Sequence, residues 1–548
     1  MDVQRIILIG ALCLISYLLV LQWNQDYGQQ PEAVEVTTSV SAYDSQPVIS
    51  ELPKAEETAQ TGEVPGTAVQ AKQAQLISIK TDVLDILIDT KGGDIIQVAL
   101  PEYKASLGSE LPFILLEQTI NRTYVSQSGL VGKNGPDASP EGRPTYSVSQ
   151  NEYSLGEQDT VSVDLTFTDK NSVAITKRYT FSKGSYEIGL EFIVNNQSEQ
   201  QWSANLFGQI KRDRSEDPSA TTEMGMQSYL GPVFSTLENT YEKYDFDDID
   251  DSQYKKRSPD GWVAMSQHYF LSAWIPSPGV EYNYQSRKLN GNYIVGFLSP
   301  DFLVNAGESK TVAANFYAGP KDQDLMEQAQ ENLKLTVDYG WLWWVASPLY
   351  MLLKWVYDLV GNWGLAIIGI TVLVKAALFQ LNAKAFKSMA KMRKFGPEMT
   401  RLKELYGDDR QKMSQEMMKL YQKEKINPLG GCLPIVAQMP IFIALYWVLM
   451  ESVELRHAEF LYLADLSVKD PYFILPIIMG ASMFIQQMLN PTPPDPMQAK
   501  IMKMLPIMFT FFFLWFPAGL TLYWVVNNIL SIAQQYLINK QIDNGTDK

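Results

Sequence analysis

Cysteine and histidine are almost missing from this sequence. Two cysteines, Cys13 and Cys432, and two histidines, His268 and His457, occur in 548 residues. The cysteines lie in or beside apolar runs far apart in the chain, so neither a disulfide framework nor a cysteine zinc site is expected. Two histidines cannot build a histidine metal cluster. Also missing are a Gly-x4-Gly-Lys-Ser/Thr phosphate loop, a His-Glu-x-x-His helix and a Gly-x-Ser-x-Gly elbow. ATP-driven and hydrolytic chemistry therefore have no visible seat. No catalytic residue, metal or cofactor is assigned, and the chain is read as a non-enzyme.

Positive charge is scarce in one part of the chain only. Met1 to Gly340 carries 25 Lys plus Arg against 46 Asp plus Glu, whereas Trp341 to Lys548 carries 20 against 15. The acidic first part and the basic, apolar second part are separate structural units, as the length also implies.

Residues 1–23 read as an N-terminal transmembrane anchor. Ile6 to Leu21 is apolar except for Ser16 and Tyr17, follows Arg5, and is followed by Trp23, suited to the membrane interface. A cleaved signal is the alternative, but no small-x-small site follows, and Leu12 precedes Cys13 where a lipoprotein site needs a small residue. Residues 24–75 lack periodicity and are rich in Gln, Glu, Thr, Ser, Val and Pro, the composition of a flexible linker.

A period of two then takes over. Leu84, Ile86 and Ile88 alternate with polar residues, Lys91-Gly-Gly-Asp94 turns the chain, and Ile96, Val98 and Leu100 resume. Val161 to Phe167, Val173 to Phe181 and Tyr186 to Val194 repeat the pattern between polar turns. An antiparallel β-sandwich over 76–335, ending in a short helix from Asp322 to about Leu333, is the expected fold. Residues 336–360 concentrate Trp341, Trp343, Trp344, Tyr350, Trp355 and Tyr357, and are read as an amphipathic helix on the membrane surface.

Residues 361–540 contain five apolar stretches, near Gly361–Leu381, Leu433–Val453, Pro471–Leu489, Ile501–Phe516 and Ala518–Ile538. Most approach the ~20 residues that cross a bilayer. With the anchor they predict six transmembrane helices, five of them forming a core. The segment Asn382 to Cys432 holds twelve Lys or Arg, whereas Glu451 to Asp470 holds Arg456 and Lys469 alone. The positive-inside rule puts the first loop and both termini in the cytoplasm and the β domain outside it.

Lys375 is the only formal charge inside the second span. It is a functional candidate, since a lysine there costs about 2.5–3.5 kcal/mol; the alternative is a stem long enough to snorkel to headgroups. Thr371 shares its face at i−4. Tyr523, Asn527, Ser531 and Gln534 recur at helical spacing in the last span, with Trp524, Asn528 and Gln535 alongside, and Gln438 begins a face of the third span that runs to Phe442. Such stripes either line a hydrated groove or glue helices together.

Residues 383–426 are expected to form a cytoplasmic helical hairpin turning at Gly407-Asp-Asp409. Met389, Met392, Phe395, Met399, Leu402 and Leu405 mark one arm, and Met413, Met417 and Leu420 the other. The methionines are either the seam or an adaptable surface for apolar segments. Lys387, Lys391 and Lys394 lie on a basic outer face that is either simply solvated or meets anionic lipid or ribosomal RNA. Residues 541–548 form the tail.

Four motifs carry a resemblance: Asn427-Pro-Leu-Gly-Gly-Cys-Leu-Pro-Ile-Val-Ala-Gln-Met-Pro-Ile-Phe-Ile-Ala-Leu-Tyr446, Leu514-Trp-Phe-Pro-Ala-Gly-Leu-Thr-Leu-Tyr-Trp524, Asp495-Pro-Met497 and Val337-Asp-Tyr-Gly-Trp341. Across nearly its whole length the chain is similar to the YidC family of membrane protein insertases, in the Gram-negative form. The resemblance implies an inner-membrane protein that inserts and helps fold other membrane proteins. It implies a periplasmic β-sandwich and a five-span core around a hydrophilic groove open to cytoplasm and lipid. By position, Lys375 and Thr371 match the groove, Met439 and Phe442 the client-contacting face, and Tyr523 and Trp524 an aromatic pair. The family usually has arginine where Lys375 stands, so charge is kept but a bidentate contact is not. Implied partners are nascent membrane proteins, the lipid bilayer, the Sec translocon (SecYEG and SecDF) and the ribosome, with no specific nucleic acid sequence. This chain ends Gln541-Ile-Asp-Asn-Gly-Thr-Asp-Lys548 where some members have a strongly basic tail.

Two rival classes fit the residues less well. A secondary transporter using Lys375 to bind an anion is disfavoured by the absence of a paired inverted repeat or a second buried charge. A periplasmic sugar-active enzyme is suggested by the sandwich alone, and a fold does not fix a function.

Overall fold

The computed structural model describes residues 75–220, 228–406, 409–424, 433–490 and 496–543. The expected anchor, the linker to residue 74, the Gly407-Asp408 turn, residues 427–432, Asp495 and the last five residues lie outside them.

Among the described residues, the strands form an 11-stranded and a 9-stranded sheet packed on one core. In the smaller sheet Glu187–Asn196 runs antiparallel between Val173–Ser182 and Ser309–Pro320. In the larger, Trp202–Arg212 runs between Thr123–Val131 and Asn292–Leu298. Ile188, Leu190, Phe192 and Val194 point inward, as a period of two requires. One stretch departs from the expected alternation. Ile95 is fully buried and Ile96 is not, because the register shifts and Ile96 becomes the extra residue of a bulge: Leu87 pairs with Gln97, but Ile88 pairs with Ile95.

Lys177 is also on the inward face, fully buried between the sheets. Its Nζ donates to the carbonyls of Gly92 and Ser128, both at 2.9 Å. Gly92 and Gly93 have φ of 75° and 65°, which bends this turn over the ammonium. Arg143 pairs with Asp94 and, at 2.7 Å, with Asp137, completing a buried ionic cluster. Burial pushes the Lys177 amine down to about 7; even a neutral amine can still donate to both carbonyls.

Eleven helices are described. In the β domain, α1 is Phe246–Asp251, and α2 is Gln323–Ala329, capped by Asp322. Helix α3, Trp343–Val360, follows two short 3-10 turns, so the surface helix starts later than residue 336. Ala346, Leu349, Leu353 and Val356 are buried, and Trp343, Trp344, Met351 and Trp355 are exposed.

The core helices are α4 (Trp363–Ala377), α5 (Phe379–Lys394), α6 (Gly396–Tyr406), α7 (Arg410–Lys423), α8 (Leu433–Glu451), α9 (Ile474–Leu489), α10 (Pro496–Phe513) and α11 (Ala518–Asp543). The expected span 361–381 is interrupted, since α4 and α5 meet at a 66° bend around Leu378. Among the described residues no single helix is both long and apolar enough to cross a membrane, although this bent pair meets the requirement together. Ile477, Phe484, Met488, Ile507, Phe511 and Ile529 are nonetheless exposed, an apolar surface far beyond the scattered residues of a soluble protein.

Lys177 yields a pH prediction. Its folded-state value lies below the ordinary 10.5, so from about pH 7 to 10 the unfolded chain holds a proton that the folded chain has released. Stability from this group therefore rises with pH across that window. Amide hydrogen exchange in strands Asp94–Lys104 and Val173–Ser182 of the full chain, corrected for the intrinsic rate, should be better protected at pH 9 than at pH 7. Lys177→Met should abolish that difference. An unchanged pH response in the variant would contradict the assignment.

Candidate functional site

Helix α11 is the shared wall of the candidate site. Lys375, on the last turn of α4, is only 8% exposed. Its Nζ donates to Ser531 Oγ at 2.7 Å, and Ser531 Oγ in turn donates to the Asn527 carbonyl at 2.7 Å. Among the described residues no carboxylate forms an ion pair with Lys375. An ammonium has three donors, so this cation keeps donor capacity beyond its serine. Thr371, fully buried one turn earlier, bonds back to the Ile367 carbonyl at 2.6 Å.

The polar stripe of α11 divides between two neighbours. Asn528 donates to Ser482 at 3.0 Å and Gln535 to Asn490 at 2.9 Å, both toward α9 and its C-terminal cap. These two side chains are interhelical glue. Ser531 faces Lys375, and Gln534 donates to the Phe379 carbonyl at 2.9 Å, at the bend between α4 and α5. Asn527, one turn before Ser531, is buried.

Seven residues before Ser531, about 10 Å along the helix, Trp524 opens an aromatic layer. Phe442 of α8 lies 5.0 Å from its ring centre and Phe513 of α10 lies 5.9 Å away. Phe513 meets Phe516 at 5.2 Å and Phe516 meets Tyr446 at 5.9 Å. Tyr523 is buried beside Trp524. Gln438 is half-buried and Met439 is 43% exposed. Thus Lys375 and Phe442 do not touch each other; both reach α11, one at Ser531 and one at Trp524.

The hairpin methionines separate. Met399 of α6 is buried and accepts from the Tyr421 hydroxyl of α7 at 3.7 Å, and Met413 and Met417 of α7 are half-buried. Met389 and Met392 belong to α5, which packs against α11. The first arm is therefore two helices, broken at Phe395, because Pro397 in the first turn of α6 has no N–H to donate to the Arg393 carbonyl and so cannot continue α5. Lys391 and Lys394 are exposed and Lys387 is half-buried on α5.

A second cluster, without a signal in the sequence, ties the β domain to α8. Lys321, at the end of strand Ser309–Pro320, pairs with Glu451 at 2.8 Å, with the two side chains 1% and 3% exposed. Ser228 also donates to Glu451. His268 Nε2 donates to the Met450 carbonyl at 2.8 Å, and burial holds its imidazole below the ordinary range, in the neutral form. Arg456 donates to the Ala105 carbonyl at 3.1 Å and lies over Phe113 and Phe270. A cleft of about 570 Å³ beside α3 is lined by Tyr339, Trp343, Tyr350 and Lys354, and none of the groove residues borders it.

Breaking one partner of a buried pair costs about 3–5 kcal/mol, whereas replacing both is far milder. Glu451→Gln should therefore lower the thermal midpoint of the solubilised protein and expose the β domain junction to protease. The Lys321→Met, Glu451→Met double variant should recover most of that loss. A double variant as unstable as the single would contradict the pairing.

Both parts of the chain have counterparts among known proteins. Residues 76–352 match the YidC periplasmic domain, and residues 355–545 match the 60Kd inner membrane protein family. A membrane protein insertase YidC from Marinomonas sp. (strain MWYL1) is 54% identical over 99% of this chain and 100% of its own length. One from Pseudomonas syringae pv. syringae (strain B728a) is 52% identical over all of both chains. The crystal structure of an active YidC insertase with its first transmembrane domain resolved shares 18% identity at a TM-score of 0.39, covering 85% of this chain and 93% of that one. The two family matches between them take in the sandwich and the helical core, and the relatives are more than half identical from end to end, so the chain belongs to the YidC family of membrane protein insertases and is an inner-membrane protein with a periplasmic domain.

Proposed function

We propose that this protein inserts membrane proteins by receiving a client's polar segment against α11, while the client's apolar segment slides into lipid beside α8. The observation that carries the reading is Lys375: a buried cation whose hydrogen bond goes to a serine, with no ion-pairing carboxylate among the described residues. A charge among apolar helices is costly unless water or a partner compensates it. Water and the acidic or carbonyl groups of a passing client would compensate it. Met439, exposed beside the Phe442–Trp524 contact, offers a flexible apolar surface to the client's other half.

Transfer needs no nucleotide. Each buried apolar side chain contributes about 1.5–3 kcal/mol, and a span has ~20 residues, so lipid burial supplies the driving force and the groove shortens the costly path of the polar segment. The basic α5 to α7 region belongs on the cytoplasmic side by the positive-inside rule, where Lys387, Lys391 and Lys394 suit a ribosome. Membership in the insertase family supports a protein that works alone or with the Sec translocon.

Lys375→Ala should slow insertion of clients with charged translocated segments several-fold in reconstituted vesicles, at matched protein levels. Lys375→Arg should keep most of the rate, because charge and reach are preserved. Normal insertion of such clients by Lys375→Ala would reduce Lys375 to a side chain that snorkels to headgroups.

A further inference from the structure

A second pocket lies between α5 and the end of α11, away from the groove. It has a volume of about 180 Å³ and is lined by Ala390, Arg393, Lys394, Asn539 and Ile542. Two cations border it, and no Asp or Glu is among its described lining residues. Arg393 and Lys394 are both exposed, and neither has an ion-pair partner among the described residues. Asn539 is 8% exposed, and its buried Nδ2 has no acceptor among the described residues. Such a donor costs about 1–3 kcal/mol when left unmade. Cationic walls and an unused amide donor favour a group with several anionic acceptor oxygens.

We propose that this pocket binds a phosphate group, the headgroup phosphate of an anionic phospholipid. Arg393 suits bidentate contact with two phosphate oxygens, Lys394 adds a point charge, and Asn539 supplies a neutral donor. A pocket of 180 Å³ exceeds by several-fold the ~30 Å³ share of one water molecule. Position favours a lipid over a soluble anion. Asn539 is eight residues beyond Ser531, about 12 Å further along α11, where the helix meets the basic residues of α5. Tyr536 and Leu537 are exposed on the preceding turn, where acyl chains would lie. The bound lipid would tie α5, which follows the bend after Lys375, to the last helix. This reading is independent of the client pathway.

The test is native mass spectrometry of the full-length protein in detergent, titrated with phosphatidylglycerol. Wild type should hold a lipid that Arg393→Gln with Lys394→Gln binds about tenfold more weakly. Asn539→Leu keeps the net charge and should still bind severalfold more weakly. Lys412→Gln with Lys423→Gln, matched in charge but outside the pocket, should bind as wild type does. Equal binding by Asn539→Leu and wild type, with both folded by circular dichroism, would overturn the site, as would equal losses in both double variants. Millimolar inorganic phosphate separates the sources. Lipid retained with no phosphate bound supports a headgroup site, whereas phosphate that binds wild type but not Arg393→Gln with Lys394→Gln, and leaves lipid retention unchanged, would overturn it.

Discussion

A lone ammonium held among apolar helices is the constraint on which the membrane core turns. Lys375 meets a serine rather than a carboxylate. A carboxylate at that point would neutralise the charge and close the site as a permanent salt bridge. A hydroxyl orients the cation without neutralising it, and among the described residues no carboxylate does so, which is why we propose that water or a visiting polar segment meets it. The bend of 66° just after Lys375 sends α5 away from the line of α4. Gln534 reaches the Phe379 carbonyl at that bend, where the chain changes direction.

One helix coordinates the rest. Helix α11 meets Lys375 through Ser531, α9 through Asn528, the bend through Gln534 and α8 through Trp524. Toward its start lies the aromatic layer; toward its end lie the amides that face α5. The buried Lys321–Glu451 pair then anchors the C-terminal end of α8 to the β domain. A domain of more than two hundred residues is thereby fastened to the helix that carries Met439 and Phe442.

Much of this is legible in the residues, and the failures have physical causes. Period-2 runs identify strands because each inward face is apolar. They miss Lys177, since a charge on a strand reads as solvent-facing until its carbonyl partners from a distant turn are known. Ile96 reads as inward because a bulge shifts register without altering composition. The α5–α6 break is written in Gly396-Pro397, whereas the α4–α5 bend at Leu378 has neither glycine nor proline to mark it. Asn527 and Asn528 look alike as members of one stripe. Neighbours on a helix are about 100° apart, and only the packing of α9 separates glue from groove. The long motifs ending at Tyr446 and Trp524 make the family recognisable from the order of residues alone.

The central claim is that clients pass along α11 and α8 rather than over the lipid-exposed surface in general. Its most direct test is site-specific photocrosslinking to a ribosome-stalled nascent membrane protein, with the probe placed singly at Met439, Phe442 or Ile507. The account predicts strong adducts from positions 439 and 442 and weak ones from 507, which is exposed on α10. Adducts of equal strength at all three positions, or none at 439 and 442 while insertion proceeds, would contradict it.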